Sequence, residues 1–273
     1  MDVYVGFDSA WTDRAENPGA ICAVGIKEGE VVQFHAPRLA SFDQALTFIQ
    51  EVRSKDGNTL VALDQPTVVP NQTGMRPVER VAASLISWLG GGVQPSNRRR
   101  LGMFCDASPI WRFLKKLDAL EDPEQARTAV EGLYLIEVFP ALALASFGTE
   151  FFGRLSAPRY NPDRRKTFRP ADWTRVAEAA ALQAQELGCE QLAGWCREKA
   201  KTAQPRKADQ DMLDSALCVL IALCWRLRPR SACLLLGDLT TGYMVLPASQ
   251  AVRERLTLRA AGRSVSMDGV CPA

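Results

Sequence analysis

Val3-Tyr4-Val5-Gly6-Phe7, followed at once by Asp8, is a short apolar run that ends in a carboxylate. Such a run reads as a buried strand, and its terminal acid is then delivered to the rim of a sheet. Two more runs follow quickly, Gly19 to Ile26 and Val31 to Phe34, joined to each other by the turn-like Lys27-Glu28-Gly29-Glu30. Together the three predict an antiparallel meander. Phe42, Leu46, Ile49 and Val52 recur at helical spacing behind Ser41, a natural N-cap. Leu60-Val61-Ala62-Leu63 is again continuously apolar and again ends in an acid, Asp64. A crossover helix between the meander and this fourth run predicts a mixed α/β sheet, with a three-strand antiparallel meander plus parallel strands.

The next run of this kind, Leu133 to Val138, arrives only after roughly seventy residues, far beyond an ordinary connection, so residues 66–130 must hold elements of their own. Pro77 to Leu89 and Pro109 to Leu120 read as helices with proline in the first turn, separated by a glycine-rich, basic loop from Gly90 to Gly102. Ala141 to Phe147 predicts a short helix, Arg154 to Arg169 is irregular and basic, and Trp173 to Leu187 with Glu190 to Lys199 predicts a helical pair. Asp209 to Arg226 is apolar almost all round beyond its first turn, the mark of a buried helix. Cys233 to Leu236 and Tyr243 to Leu246 predict a closing hairpin. The expected organisation is one domain over residues 1–273, enlarged by helical insertions at about 66–130 and 149–206.

Asp8, Asp64 and Glu137 all stand at strand ends, where open α/β sheets bind ligands, and the last two are closely followed by Pro66 and Pro140. Asp211 and Asp214 share one face at the start of the buried helix. Oxygen ligands in such a set suit a hard divalent cation, Mg2+ or Mn2+, and a pair of such ions can activate water and steady a leaving oxygen in phosphodiester cleavage. Gly6, on the same pleat face as Asp8, leaves room beside it. Each acid also has a plainer reading. Strand-end acids serve turn chemistry, and acids in a first helical turn oppose the helix dipole, worth about 0.3–1 kcal/mol each.

Gly6-Phe7-Asp8-Ser9, Ala62-Leu63-Asp64-Gln65-Pro66, Glu137-Val138-Phe139-Pro140 and Asp211-Met212-Leu213-Asp214-Ser215-Ala216 resemble the corresponding motifs of the predicted ribonuclease H-like nucleases of domain-of-unknown-function family 429. The likeness spans nearly the whole chain and implies a ribonuclease H-like mixed sheet with a metal-binding acidic set. Asp8, Asp64 and Asp214 are its closest counterparts, followed by Glu137 and Asp211. The paired acids at helix spacing are also similar to those of Holliday-junction resolvases. The expectation is a metal-dependent phosphodiesterase, a nuclease using Mg2+ or Mn2+, with Asp8, Asp64, Glu137 and Asp214 as catalytic ligands and Asp211 in reserve. Two alternatives stand beside it: a non-catalytic binding or scaffold protein of the same fold, and a phosphotransferase of the actin and sugar-kinase type, which needs two copies of the fold where one copy is legible.

The rest of the chain narrows the choice. Lys and Arg number 33 against 31 Asp and Glu, so overall charge neither demands nor excludes a nucleic-acid partner and only local clusters inform. Arg98 and Arg99, and Arg164, Arg165, Lys166 and Arg169 with neighbouring aromatics, are the candidates for gripping phosphates while stacking bases. Charge runs in loops are also ordinary solvated surface. Arg76, Glu79 and Arg80 fit an intrahelical ion pair. His35 has no second histidine with which to make a zinc cluster, and Gly90-Gly91-Gly92 lacks the Lys-Ser/Thr of a phosphate loop. The eight cysteines are scattered without a C-x-x-C pair, as expected of reduced thiols in a cytoplasmic protein. Asp2 and Asp8 sit where a secretory signal needs a basic start and an apolar core, and Ala216 to Trp225, the longest apolar stretch, falls short of the ~20 residues of a membrane span.

Overall fold

In the computed structural model, which describes residues 1–13, 16 and 18–270, the predicted meander is formed by β1 (Asp2–Asp8), β2 (Gly19–Lys27) and β3 (Glu30–Ala40). Helix α1 (Phe42–Val52) leads to β4 (Asn58–Leu63), and β5 (Gly132–Glu137) completes a five-stranded sheet of order β3-β2-β1-β4-β5. β1 runs antiparallel to β2 and parallel to β4, and β4 runs parallel to β5. α1 starts where Ser41 and Gln44 form a reciprocal capping box, and its Phe42 N–H also donates to Asp13. β3 runs on to Ala40, past Pro37, although the apolar pattern ends at Phe34. It is an edge strand, so its open side tolerates a proline that cannot donate. His35 lies inside it, edge-on to Phe48, consistent with a packing role.

The first insertion holds α2 (Pro77–Trp88), α3 (Pro109–Leu117) and the short α4 (Pro123–Thr128). α3 stops three residues before the expected Leu120, at Asp118 in the left-handed region (φ 50°), a cap that an aspartate tolerates. After α5 (Pro140–Phe147) come α6 (Pro170–Glu186), α7 (Glu190–Ala200) and α8 (Lys207–Leu227). The hairpin of β6 (Cys233–Asp238) and β7 (Gly242–Pro247) forms its own two-stranded sheet, tied to the main one through the pairing of Val138 with Val245. α9 (Gln250–Ala261) was not expected. It buries only Val252, Leu256 and Ala260, one thin stripe among arginines, too weak a period to read from composition.

Pleat parity sorts the core into two layers. Val3, Val5, Phe7, Val61, Leu63 and Leu135 face α1 and α3, while Tyr4, Leu60, Ala62, Tyr134 and Ile136 face α8. α8 lies across β1, β2 and β4 and is buried almost continuously from Leu213 to Trp225. Gly6 makes this approach possible: a Cβ there would stand 2.1 Å from the Ser215 carbonyl oxygen and 2.5 Å from the Val219 nitrogen. The first turn of α8 is thereby brought down onto the end of β1. The seven described cysteines are free thiols, and Cys271 lies outside the described residues. No helix among the described residues is long and apolar enough to cross a membrane.

Candidate functional site

Phe7 pairs with Leu63 across β1 and β4, so the next residue of each strand, Asp8 and Asp64, leaves the sheet rim side by side. The Asp64 N–H donates to the Phe7 carbonyl at 2.9 Å and keeps that register to the end. Both acids continue the face of Gly6 and Ala62, which is the face α8 covers. The first turns of α8 present Lys207, Gln210, Asp211 and Asp214 over them, spaced three and four apart on one stripe. These residues line a cavity of about 510 Å³ together with Trp11, Arg76, Gln94, Glu137 and Arg164.

Asp214 is fixed from two sides. The Tyr160 hydroxyl donates to its Oδ1 at 2.8 Å and the Gln210 amide nitrogen to its Oδ2 at 2.9 Å. Lys207 donates to Asp211, one turn on. Ser9 Oγ donates to Gln65 Oε1, behind Asp64, and Trp11 Nε1 donates to the Asp64 carbonyl at 3.2 Å.

The site carries more negative charge than its surroundings neutralise. Burial, then the charges of Asp214, Asp64 and Asp211, push the Asp8 carboxyl well above the usual carboxylate range. Asp64 is raised in the same way by burial, Asp214 and Glu137. Asp214 is pushed up to about 6 by burial, although Lys207, Tyr160 and Gln210 all favour its charged form. Asp211 is raised by burial against the pull of Lys207. Lys207 shows the converse: burial works against its charge, but Asp8, Asp211 and Asp214 outweigh burial and hold its pKa above the ordinary lysine value. Crowded carboxylates of this kind are the hard oxygen donors that Mg2+ or Mn2+ takes, and their mutual repulsion is what a divalent ion relieves. Among the described residues, no group of three or more His, Cys, Asp or Glu side chains is already drawn into metal-ready geometry. The donor chemistry fits the ion, and binding would have to pull the oxygens together.

The structure separates Glu137 from the other four acids. It pairs in register with Leu63 and follows Leu135, so its side chain starts from the opposite pleat face to Asp8 and Asp64. Both carboxylate oxygens are engaged by Arg76, Oε1 at 2.5 Å and Oε2 at 2.9 Å, and the Thr67 N–H donates to Oε2 at 3.0 Å. Arg76 Nε donates to Glu79 at 2.9 Å, the expected intrahelical pair, here fully buried and shared with a strand end. Glu79 also accepts from the Arg76 and Ser96 backbone N–H groups. Burial opposes the charge of Arg76, but Glu137 and Glu79 overcome it and hold the guanidinium ionised.

The two basic clusters differ. Arg98 is committed to the fold: its Nε donates to the Val69 carbonyl at 2.7 Å, its guanidinium lies 4.1 Å over the Trp111 ring, and Asp106 pairs with it at 3.5 Å. Arg99 beside it is exposed. Arg164, Arg165, Lys166 and Arg169 are all exposed, and Arg164 reaches the wall of the acidic cavity. The aromatics of this segment turn inward: Tyr160 is buried on Asp214 and Phe168 packs against the core, so neither is presented at the surface for stacking.

Lys207, Tyr160, Gln210 and the Arg76–Glu137 pairing are the parts that the sequence pattern did not reveal. Lys207 lies four and seven residues before Asp211 and Asp214, a spacing visible in hindsight once the helix begins at Lys207 rather than Asp209. A family model described as "Protein of unknown function (DUF429)" matches residues 6–235. No curated protein and no solved structure matches the chain.

Proposed function

We propose that this chain, which belongs to the DUF429 family of proteins of unknown function, is a metal-dependent phosphodiesterase of ribonuclease H-like architecture that cleaves nucleic acid. The sheet order β3-β2-β1-β4-β5, with an antiparallel meander followed by two parallel strands, supports that architecture. The observation that carries the reading is the in-register pair Asp8 and Asp64 under the Asp211 and Asp214 turn of α8, with Gly6 allowing the close approach. Asp8, Asp64 and Asp214 are the residues that would hold Mg2+ or Mn2+, with Asp211 at the edge. When bound, such ions supply an activated water and a counter-charge for the departing oxygen.

The chain's own groups do the positioning. Tyr160 and Gln210 fix both oxygens of Asp214, and Lys207 orients Asp211 while balancing part of the negative charge. Glu137 acts through Arg76 to anchor the 65–79 segment to the end of β5, which supports Asp64 from behind. Exposed Arg164, Arg165 and Lys166 sit where an incoming phosphate backbone would be drawn toward the cavity. A phosphotransferase of the two-lobed kind requires a second copy of the sheet, and the described residues hold one such five-stranded sheet. The test is a cleavage screen over single-stranded, duplex, hybrid and branched oligonucleotides with Mn2+. Cleavage by the wild type that is lost in Asp8→Asn and Asp214→Asn supports the reading. An inactive wild type, or active variants, overturns it.

A further inference from the structure

A second recess of about 270 Å³ opens beside the acidic cavity and shares Asp64, Asp214, Gln210 and Arg164 with it. Phe139 and Gly92 also line both, and away from this shared wall the recess is bounded by Leu144 and Phe151, by Gly90 and Gly91, and by the polar residues Arg159, Asn161 and Thr167. One polar group on the shared wall is unsatisfied. Gln210 is 8% exposed and gives its amide nitrogen to Asp214, which leaves its Oε1 without a partner. A buried acceptor without a donor is costly, and an acceptor beside a recess of mixed apolar and polar walls suits a flat heterocycle, with apolar faces for Leu144 and Phe151 and an N–H at its edge. The volume lies just below the roughly 300–1,000 Å³ of small-molecule sites, enough for one aromatic heterocycle and far too small for stacked base pairs.

We infer that this recess receives a single unstacked nucleobase of the nucleic-acid substrate, with its edge N–H donating to Gln210 Oε1, while the adjoining backbone phosphate lies over the acidic cavity within reach of Arg164. The inference rests on the phosphodiester reading of that cavity and names its substrate class: single-stranded or locally unpaired nucleic acid, since a base paired inside a duplex cannot enter.

The pocket is tested apart from catalysis by titrating metal-free protein with adenosine, guanosine, cytidine and uridine, using ribose as the control and ligand-observed NMR as the readout. None of these probes carries a phosphate or needs a metal. At least one nucleoside binds at least tenfold tighter than ribose, and Ala141→Phe or Ala157→Phe, which fill the recess from half-buried positions, weakens that binding at least tenfold. Nucleosides that bind no better than ribose, or filled variants that bind as well as the wild type, overturn the inference. The wild-type comparison decides the matter even where a filled variant fails to fold. Loss of cleavage without loss of nucleoside binding bears on the phosphodiesterase reading alone.

Discussion

Replacing Asp214 with asparagine should stabilise the metal-free protein, and the structure gives the size of the effect. Burial first, with Asp211 adding to it, raises the Asp214 carboxyl from the ordinary value of 3.8 to about 6. At about 1.36 kcal/mol per pH unit, keeping Asp214 ionised in the folded state costs up to about 3 kcal/mol. The folded-state pKa lies above the unfolded one. The folded protein therefore binds the extra proton, and this contribution is fully retained below about pH 4 and lost as pH rises through about 6. Asparagine removes the charge while keeping the shape. Its Oδ1 still accepts from Tyr160, and Gln210 can turn its amide so that the unpartnered Oε1 takes the new N–H2. Asp8 and Asp64, each raised by Asp214 more than by any other charge, are relieved as well. Calorimetric unfolding in chelator from pH 4 to pH 8 should show Asp214→Asn gaining up to about 3 kcal/mol at pH 7.5, on the order of 5 °C, and little or nothing at pH 4. Saturating Mn2+ should reverse the order, since the wild type alone keeps the full ligand set; a concentration of about 1,000 Kd adds about 4.1 kcal/mol, more than the variant's advantage. A variant less stable than the wild type at pH 7.5 in chelator, or an advantage that does not change with pH, would refute the electrostatic picture of the site.

Other consequences follow from the same contacts. Arg76→Met strands Glu137 and Glu79 as buried carboxylates without their cation and should cost about 3–5 kcal/mol in denaturant unfolding at pH 7. The deficit should shrink in acid, where protonation removes the unpaired charges; a cost under 1 kcal/mol would mean the network is dispensable. Gly6→Ala meets backbone atoms of α8 on two sides and should cost about 1–3 kcal/mol or more, with weaker Mn2+ binding as α8 lifts from β1. Unchanged stability there would contradict the close approach. Changing Arg164, Arg165 and Lys166 together to alanine should lower the salt dependence of single-strand binding, by about 2 in the logarithmic slope if each meets one phosphate. An unaltered slope, measured by fluorescence anisotropy, would remove this segment from the interface.

Much of the architecture was legible because it rests on local pattern. Continuous apolar runs ending in Asp8 and Asp64, the Ser41 cap and the all-round apolar α8 each announce their element in a few residues. What stayed hidden depends on contacts between distant stretches. Nothing near Glu137 in sequence says that Leu63 is its register partner or that Arg76, sixty-one positions away, will occupy both its oxygens. The extension of β3 through Pro37 depends on its place at the sheet edge, which is a property of the whole sheet. Lys207 escaped because the helix begins one polar turn before its apolar pattern does, and α9 because a single thin stripe is all it needs against α2. Tyr160 reads as one aromatic in a basic loop and becomes a hydrogen-bond donor to Asp214 only when α8 folds over it.

The most direct measurement of the acidic cavity is anomalous diffraction from crystals soaked in millimolar Mn2+, paired with Asp8→Asn crystals treated alike. One or two peaks with carboxylate oxygens of Asp8, Asp64 and Asp214 within about 2.6 Å, lost or halved in the variant, are the predicted result. No peak in the cavity, or a peak that Asp8→Asn leaves unchanged, would contradict it.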